Sequence, residues 1–584
     1  MSFAIKLPVL SVCVLFAVSL TAKEYIIEAP DGVGDVVALT NAINEINSGN
    51  NTGTRLLLEP GVYDLSGIKS SYSSGVHLYI NTKCKDGLIA GLGDKPEDVI
   101  LKGGGEADKR TVLYIWATDS AKPTVVSNLT ITGGYRSGDG GGIFGSTHGG
   151  LVLKYVNVTN NYATGLGAGV LRAKMYKCLI ADNTSSGKNG GGYWSDTAGL
   201  GAEDCVFSNN TTTAIGGGFY SSGSGGFLVN CRFYDNTAKS GSGAYMGGGG
   251  FITNCLFKGN GPLSTANSDK VGGGLYLSAS ECVDCDFIEN NADRGGGVYV
   301  SSNSSVLRDC LFEGNRQTGW ASGAALYVNA SSPLALVSNC VFNANAANVE
   351  SSRTIISNAE LVDCVITNHN VSVGYVLAGC NMKRCLFAYN SATGNGQHLD
   401  ICTAYDTTPV KRTNSNCVVA FNRAMGINSI TDEKTVLNCT YIGNYCDSGN
   451  YGTILRDGVA YNTLLTGNRI SDTKLDVRRN FHGGEVHQPY LTNCVFSASD
   501  IEVDSFGLAN CKKVTPFAFY PTADGGEYDI KKTSPAFNAG VIEEWMLPLL
   551  GGCDFAKRQR IKYDTIDVGA LECQFAPPFA VILR

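Results

Sequence analysis

The stretch GGGFYSSGSGGFLVNCRFYDN at residues 216–236 and its successor GSGAYMGGGGFITNCLFKGN at residues 241–260 decide the fold of this chain. Each copy contains a glycine run that leads into an aromatic segment, followed by the phrase N/D-C-x-F-x-x-N. The phrases return every 21 to 32 residues, with one gap of 55 in which Thr463 takes the cysteine position. A period of this length indicates an array of stacked units. The cysteine recurs at Cys178, Cys205, Cys231, Cys255, Cys285, Cys310, Cys340, Cys364, Cys385, Cys417, Cys439 and Cys494.

A unit of this length holds two or three short strands, which bury their apolar side only when units stack. Cysteine and phenylalanine in C-x-F lie two residues apart, so they share one strand face, which we expect to point inward. The closing asparagine tolerates a left-handed backbone, and stacked coils would let each amide bond the next. The repeat therefore predicts an all-β, right-handed parallel β-helix of about fifteen coils, a rod roughly 70 Å long. We expect core ladders of Cys, of Phe or Leu, and of Tyr.

The composition suits a turn-rich β protein. Glycine accounts for 73 of 584 residues and charged residues for 17%, against about 25% charged residues in an average protein. The net charge is −7 and the sequence contains no basic stripe. This charge distribution argues against a nucleic-acid partner.

The repeated cysteines favour buried free thiols. Their position also accepts Thr463 and, roughly one coil before the first repeated cysteine, Val158. A position that accepts Cys, Thr and Val requires a small buried side chain. Outside the repeat, Cys553 with Cys573 is the best candidate for a disulfide, the usual state of cysteines in exported proteins.

The N-terminus has the pattern of a secretory signal, predicted over residues 1–22. Lys6 supplies the positive charge, Leu7 to Leu20 the apolar run, and Lys23 follows the expected cut. The alternatives are a membrane anchor, for which the run is short, and a lipoprotein cut before Cys13. We therefore expect a secreted or cell-surface bacterial protein with no stable membrane span after cleavage.

Residues 23–135 are predicted to hold an N-terminal cap and the first coils. DVVALTNAINEIN at residues 35–47 has apolar residues at helical spacing, and such a helix would cover the first open rung. RLLLEPGVYDLSGI at residues 55–68 follows as strand, Pro-Gly turn and strand. A helix cap followed by P-G-x-Y resembles the pectate-lyase-like β-helix superfamily, which implies the same right-handed fold.

Residues 136–525 are predicted to form the rod. Gly217-Gly218-Phe219 with Phe207-Ser208-Asn209-Asn210 resembles the G-G-A-[ILV] and F-x-x-N pair of polymorphic outer membrane protein repeats, although glycine replaces alanine. Residues 346–490 lose the glycine triplets and gain Arg, His and Asp, with lateral loops expected at 397–414 and 472–487. Binding groups often lie on loops that leave a rigid scaffold.

Residues 526–584 are predicted to form a closing module that finishes and covers the last rung. Ser534-Pro535, Gly540, Asp554, Arg558 and the phrase Ile566-Asp567 to Glu572 match S-P-x-x-x-x-G, D-x-x-G-x-x-R and I-D-x-G-A-x-E, with Lys557 in place of a glycine. This pattern resembles the choice-of-anchor C-terminal module of secreted β-helix proteins. The resemblance leaves the anchor itself undefined.

The known catalytic phrases of β-helix enzymes are absent. Pectate lyases use R-x-P-x-x-R beside a calcium cage, and inverting hydrolases use N-T-D, D-D and G-H-G with paired carboxylates. Only R-I-K at residues 560–562 matches, and an isolated tripeptide is expected by chance. C-V-D-C at Cys282 and Cys285 could indicate metal or redox chemistry, but Cys285 already belongs to the repeat.

The remaining candidates have simpler structural interpretations. His148 and His482 lie beside glycines, where a ligand could approach the backbone, although loop histidines are usually only solvated. Tryptophans could stack on sugar rings if they are exposed, and Trp194 in the aromatic segment is more readily explained by packing. The tryptophans considered are Trp116, Trp194 and Trp320. The aspartates expected to cap turns, face outward or support corners are Asp139, Asp293, Asp182, Asp235, Asp204, Asp284, Asp309 and Asp363.

The sequence therefore predicts no catalytic, cofactor-binding or metal-binding residue and no cofactor. We expect a monomeric adhesion or glycan-binding protein whose partner is an extracellular polysaccharide or a cell-surface glycan. The alternative is a polysaccharide lyase or glycoside hydrolase that acts on uronate-rich or other extended glycans. Three or more carboxylates converging on one face of residues 346–490 would favour the enzyme, whereas a uniform Ser/Thr/Asn face would favour adhesion.

Overall fold

The computed structural model describes most of the rod and parts of the closing segment. The described residues are 23–49, 52–70, 73, 75–81, 85–262, 270–319, 322–329, 333–347, 353–372, 374–394, 399–401, 412–425, 429–447, 453–456, 458–470, 480–482, 485–487, 490–496, 508–513, 536, 539–550, 553–559 and 566–570. The predicted signal peptide, Trp320, residues 560–562 and Cys573 lie outside these ranges.

Each coil passes through three parallel sheets in the same order. The chain enters sheet 1 after the glycine run, turns into sheet 2, and reaches sheet 3 directly after the cysteine. Each strand pairs in parallel with its counterpart one coil away, as in Phe233 beside Phe257. This is the right-handed parallel β-helix that the repeat predicts.

Sheet 1 contains 15 strands among the described residues. They are Val76–Ile80, Thr111–Ile115, Ile143–Gly145, Val170–Leu171, Tyr193–Ser195, Phe219–Ser221, Ala244–Met246, Leu275–Leu277, Val298–Val300, Leu326–Val328, Arg353–Ser357, Gly374–Ala378, Asp400–Ile401, Ser429–Asp432 and Thr453–Arg456.

Sheets 2 and 3 share the long strands Thr124–Thr132 and Leu151–Thr159. The other strands of sheet 2 are Glu24–Ile27, Arg55–Leu58, Leu88–Gly91, Lys174–Tyr176, Gly201–Glu203, Phe227–Val229, Phe251–Thr253, Glu281–Val283, Val306–Arg308, Ala335–Ser338, Ala359–Val362, Asn381–Lys383, Thr413–Ser415, Thr435–Leu437, Val459–Tyr461, Tyr490–Thr492 and Leu508–Ala509. Those of sheet 3 are Gly61–Asp64, Val99–Lys102, Leu179–Ala181, Val206–Ser208, Arg232–Tyr234, Leu256–Lys258, Asp286–Ile288, Leu311–Glu313, Val341–Asn343, Val365–Thr367, Leu386–Ala388, Val418–Ala420, Thr440–Ile442, Leu464–Thr466, Val495–Phe496 and Lys512–Lys513.

Short strands extend the coils beyond sheet 3, and the two predicted lateral loops contain strands as well. Residues 397–414 include Asp400–Ile401 of sheet 1 and the start of Thr413–Ser415, so part of that predicted loop belongs to the rod. Residues 472–487 include an antiparallel pair of strands. These additional strands are Tyr135–Arg136, Tyr162–Ala163, Thr184–Ser185, Thr211–Thr212, Asn291–Ala292, Arg316–Gln317, Asn370–Val371, Ser391–Ala392, Arg423–Met425, Tyr445–Asp447, Arg469–Ile470, Asn480–His482 and Glu485–His487.

The core contains the predicted cysteine and phenylalanine ladders. All twelve repeated cysteines are buried free thiols, and Thr463 is buried at the same position. The position predicted for Val158 is wrong by two residues, because Val158 pairs with Ile180 in the phenylalanine ladder and Val156 lies opposite Cys178. The backbone N–H of Cys231 donates to Sγ of Cys255 at 3.3 Å, a contact that recurs along the ladder. Burial raises the pKa of the Cys231 thiol. The rings of Phe207, Phe233, Phe257, Phe287, Phe312 and Phe342 stack with centroids 4.5 to 5.0 Å apart.

The prediction of a core ladder of tyrosines is wrong. The repeated tyrosines of sheet 1, such as Tyr220 and Tyr245, are only partly buried, whereas the residues on either side of them are buried. Strand side chains alternate between faces, so Phe219 points inward and Tyr220 points outward. Tyr193 and Tyr441 do lie in the core.

A ladder of buried asparagines closes each coil, as predicted. Asn210 Nδ2 donates to Asn236 Oδ1 at 3.0 Å, and Asn236 Nδ2 donates to Asn260 Oδ1 at 3.0 Å. The left-handed backbone, however, falls on the residue before the ladder asparagine, as at Asn209 with φ 53°. The ladder asparagines are Asn161, Asn183, Asn210, Asn236, Asn260, Asn290, Asn315, Asn345, Asn390, Asn422, Asn444 and Asn468.

The glycine run fits against this ladder. A Cβ added to Gly218 would lie 2.6 Å from the carbonyl oxygen of Gly243 and 3.1 Å from Cγ of Asn236. Neighbouring coils leave no space for a side chain at this corner. The repeat therefore needs glycine here because the asparagine ladder passes directly beneath the backbone.

The predicted helix caps the N-terminal end of the rod. It spans Val36–Ser48, and its N-cap residue Asp35 accepts a hydrogen bond from the N–H of Ala38 at 2.8 Å. Leu39, Ile43 and Ile46 on one helix face are buried in the main core, as a cover for the first coils requires. The remaining helices are Leu547–Leu550 and the 3₁₀ turns Pro30–Gly32, Pro96–Asp98, Gly105–Ala107 and Glu544–Met546.

The described part of the closing segment packs along the side of the rod. Asn462 Nδ2 donates to the carbonyl of Val541 at 2.7 Å, and the N–H of Val541 donates back to Asn462 Oδ1 at 3.0 Å. The N–H of Ala570 donates to Thr440 Oγ1 at 2.9 Å. Met546 and Ile566 are buried with residues of these coils. The segment thus covers the outer face of the coils that contain Thr440 and Asn462.

Replacing Phe257 by aspartate should destabilise the rod around this coil. The ring is fully buried between Phe233 and Phe287, and an unpaired buried charge costs several kcal/mol. We expect a lower midpoint of thermal unfolding, measured by circular dichroism. Lys258→Ala, one residue along and exposed, should change stability by about 0.5 kcal/mol or less. An unchanged midpoint for Phe257→Asp would contradict the inward position of the ladder.

One ladder position is occupied by histidine, and it should make stability depend on pH. The N–H of Asn345 donates to His369 Nδ1 at 3.1 Å, and burial lowers the pKa of His369 from 6.5 to about 4. Between these values the unfolded chain binds a proton that the folded chain does not, so the free energy of unfolding falls as the pH drops. The shift corresponds to about 3 kcal/mol.

His369→Asn should restore a continuous asparagine ladder and remove this contribution. Urea unfolding at pH 7 and pH 4.5 measures the difference between the variant and the unmodified chain. We expect the unmodified chain to lose more stability than the variant on acidification. Equal losses in both chains would show that His369 is not held neutral in the fold.

Candidate functional site

A continuous row of mainly aromatic side chains runs along the outer face of sheet 1. Its members pair in register from one coil to the next across ten strands. We call this row the aromatic stripe. It consists of Tyr79, Tyr114, Phe144, Leu171, Trp194, Tyr220, Tyr245, Tyr276, Tyr299 and Tyr327.

The rings of the stripe stack on one another along the rod. Ring centroids are 4.6 Å apart between Tyr220 and Tyr245, and 4.9 Å apart between Tyr245 and Tyr276. Contact between neighbouring rings leaves most of them partly buried although they point away from the core, and Trp194 and Tyr299 are buried. Burial raises the pKa of Tyr114 and of Tyr245 to about 12, so both remain neutral hydroxyl donors at neutral pH.

The glycine corner borders the stripe on one side. A Cβ on Gly190, whose φ is +76°, would lie 2.6 Å from Cβ of Trp194. The first glycine of the run therefore allows the backbone to pass close beside the outward ring. The same corner shapes both the core ladder and the edge of the stripe.

Two arginines lie over rings of the stripe. The guanidinium of Arg172 lies 4.8 Å from the Trp194 ring centroid, and that of Arg294 lies 5.7 Å from Tyr327. Arg172 also forms a two-bond ion pair with Asp196, at 2.7 and 3.2 Å. The charge of Arg172 beside the stripe is therefore balanced by Asp196.

The N-terminal end of the stripe has an exposed extension. Trp116 is 37% exposed and its ring lies 6.0 Å from that of Tyr114. His148, which is exposed, lies 6.4 Å from Trp116 on the next coil. The structure thus brings Trp116 and His148 together. The sequence did not predict this contact. Trp194 instead lies within the stripe and is 7% exposed.

The stripe ends where the repeat becomes irregular. Beyond Tyr327, the register positions are Ser357, Ala378 and Ile401, and then Asp432 and Arg456. The Arg456 guanidinium lies 3.8 Å from the Asp432 carboxylate. The outer face of sheet 1 therefore changes from aromatic to mixed and charged at residues 346–490, where the sequence loses its glycine triplets.

The candidate aspartates have structural partners. Asp139 Oδ1 accepts the N–H of Leu166 at 2.8 Å, and Asp293 Oδ2 accepts that of Lys270 at 3.2 Å, so both cap turns of a neighbouring coil. Asp204 Oδ1 accepts Asn230 Nδ2 at 3.0 Å. The carboxylate of Asp363 pairs with Arg384 at 2.7 and 2.8 Å. These groups support corners between coils.

The described residues contain no group of three or more His, Cys, Asp or Glu able to hold a metal ion. Cys282 and Cys285 are both buried free thiols in the bore, which matches the ladder interpretation. His482 lies in the strand Asn480–His482. Cys553 is free, and its predicted partner Cys573 lies outside the described residues. Within the described part of the chain no helix is long and apolar enough to cross a membrane.

The sequence contained the signal for the stripe in its strand alternation. Sheet 1 strands begin with Phe219, Ala244, Leu275, Val298 and Leu326, all buried. Each is followed by a tyrosine, which must then point outward.

One family model agrees with this architecture. Residues 111–292 and 193–333 match the family model described as right handed beta helix region. No curated protein matches the sequence. The catalytic domain of a GH87 alpha-1,3-glucanase in complex with tetrasaccharides aligns at 9% identity over 84% of this chain and 68% of that domain, with a TM-score of 0.27. The A-module of an Azotobacter vinelandii mannuronan C-5 epimerase aligns at 11% identity over 83% of this chain and 96% of the module, with a TM-score of 0.18. The chain is a right-handed parallel β-helix protein whose central coils match the model of that family.

Proposed function

We propose that this protein binds extended, uncharged glycans along the aromatic stripe, as a non-catalytic binding or adhesion protein of the cell exterior. The observation that carries the proposal is the row of outward rings from Tyr79 to Tyr327, in which Leu171 is the one member without a ring. Core packing does not require large rings on the outer face of a sheet. A row of them is therefore a surface adapted to a ligand.

The chemistry of the stripe suits sugars. Each tyrosine offers an apolar ring face beside a hydroxyl that can donate and accept a hydrogen bond. A pyranose presents the matching groups, because its C–H faces are apolar and its edges carry hydroxyls. The neutral stripe with its paired arginine favours an uncharged polymer over a polyanion.

The regular spacing favours a polymer over a single small molecule. Ten rungs about 4.8 Å apart extend over roughly 43 Å. A linear glycan could contact successive rings with equivalent groups, and linked weak contacts strengthen one another. The proposed role on the cell exterior rests on the sequence pattern at residues 1–22. Detection of the cleaved chain outside the cell or on its surface would test this location.

Removing two adjacent rings should weaken glycan binding. We expect the double variant Tyr220→Ala and Tyr245→Ala to lose roughly 30-fold in affinity, from about 1 kcal/mol per ring, for glycans identified on an array with residues 23–584. The matched control is Phe227→Ala with Phe251→Ala, a stacked pair on the outer face of sheet 2 at 6.1 Å. The control should retain full affinity.

Two results would count against the proposal. Equal loss in both double variants would place the binding surface elsewhere. Release of shortened products when the unmodified chain is incubated with glycans or uronate polymers would show that it is a lyase or hydrolase. Salt should have little effect on binding to a neutral ligand, so titration at low and high ionic strength provides an independent check.

A further inference from the structure

Three polar side chains, two of them charged, lie close together in the interior of the rod. Asp400, Asn414 and Lys434 are all fully buried. In the register of the sheets, Asp400 lies beside Leu377, and Asn414 lies between Met382 and Val436. Burial of charge in an apolar core is unfavourable unless the groups are closely paired. Their presence in one place therefore requires an explanation.

The three groups contact one another directly. Lys434 Nζ contacts Asp400 Oδ1, and it lies 3.3 Å from Asn414 Oδ1. Asn414 Nδ2 donates to the other carboxylate oxygen, Asp400 Oδ2, at 2.7 Å. The carboxylate thus bridges the amine and the amide nitrogen, while the amide carbonyl faces the amine. An ion pair alone would not need the amide in this position.

We infer that Lys434 and Asn414 become joined by an intramolecular isopeptide bond, with Asp400 carrying the proton. Lys434 begins as an ammonium and gives one proton to the Asp400 carboxylate. The freed amine attacks Cγ of Asn414 and forms the new C–N bond. A proton passes to the amide nitrogen, the bond from Cγ to Nδ2 breaks, and ammonia leaves.

Burial in an apolar core favours the products of this reaction over the starting groups. The starting groups are an ammonium and a carboxylate, and the products are a neutral amide, ammonia and a protonated Asp400 carboxyl. No oxidant or cofactor takes part. The step removes a buried ion pair, which is expensive to hold in an apolar core. Fixed orientation of amine, carbonyl and carboxylate supplies the proximity that the attack requires.

The link would join neighbouring coils covalently. Asn414 lies in the strand Thr413–Ser415, which pairs with Thr435–Leu437 directly after Lys434. In an array whose coils contact only their neighbours, such a bond would prevent separation of this pair. It would also restrict the unfolded chain by closing a short loop.

Mass spectrometry of denatured chain 23–584 tests the inference. We expect an intact mass below that of the sequence by one ammonia molecule, and a tryptic fragment in which the peptides of Asn414 and Lys434 are joined. Lys434→Met, Asn414→Ala and Asp400→Asn should each have the full mass of their sequence. Circular dichroism checks that the Asp400→Asn chain is folded.

The matched control is Asn381→Ala on the neighbouring coil. Asn381 Nδ2 also donates to a carboxylate, Glu360 Oε2 at 2.6 Å, and this variant should keep the link. The unmodified chain decides the question whether or not the variants fold. An intact mass equal to that of the sequence, or ammonia loss on a peptide not joined to Lys434, would overturn the inference. A link that persists in Asp400→Asn would overturn the role of Asp400.

Discussion

The coils between Asn161 and Asn468 depend on hydrogen bonds that buried polar groups make to the equivalent groups one coil away. The asparagine ladder shows this most clearly, because the amide of Asn236 is fully buried and bonds to Asn210 and Asn260. An isolated coil would leave these amides without partners in an apolar interior, which is unfavourable. The ladder therefore fixes the register between coils, and it requires each of these coils to have a neighbour on both sides. It also explains the glycine corner, since no side chain fits above the amides.

Sequence periodicity predicted the parts of the molecule that repeat. The inward cysteines and phenylalanines, the asparagine ladder and the capping helix were all expected from local spacing, and the structure contains them. The tyrosines of sheet 1 do not follow the predicted core ladder, because each lies one residue after an inward-facing side chain. Phe219 and Tyr220 are adjacent aromatic residues, yet strand geometry sends them to opposite faces.

Features that depend on distant parts of the chain were not predicted. Asn462 is held by Val541, 79 residues away, and Asn416 Nδ2 donates to the carbonyl of Cys553, 137 residues away. No spacing rule connects such positions. Lys434 follows Asp432 and Glu433, a charged run typical of a solvated surface, and only the stacking of coils reveals that its side chain turns into the bore.

Two irregular features lie on the same coils. One is the buried polar cluster that contains Asn414 and Lys434, and the other is the outer face that contacts the closing segment. Asn414 faces the bore, whereas Asn416, two residues on, contacts the closing segment outside. Lys434 likewise faces inward just before Asn438, whose Nδ2 donates to the carbonyl of Asp567 at 3.3 Å. In a solenoid each coil is stabilised mainly by its neighbours. A rigid core at these coils therefore directly supports the outer face against which the closing segment packs. The aromatic stripe ends several coils earlier, at Tyr327. The rod thus has one half built by strict repetition, which carries the aromatic stripe, and another half in which irregular coils contact the described part of the closing segment.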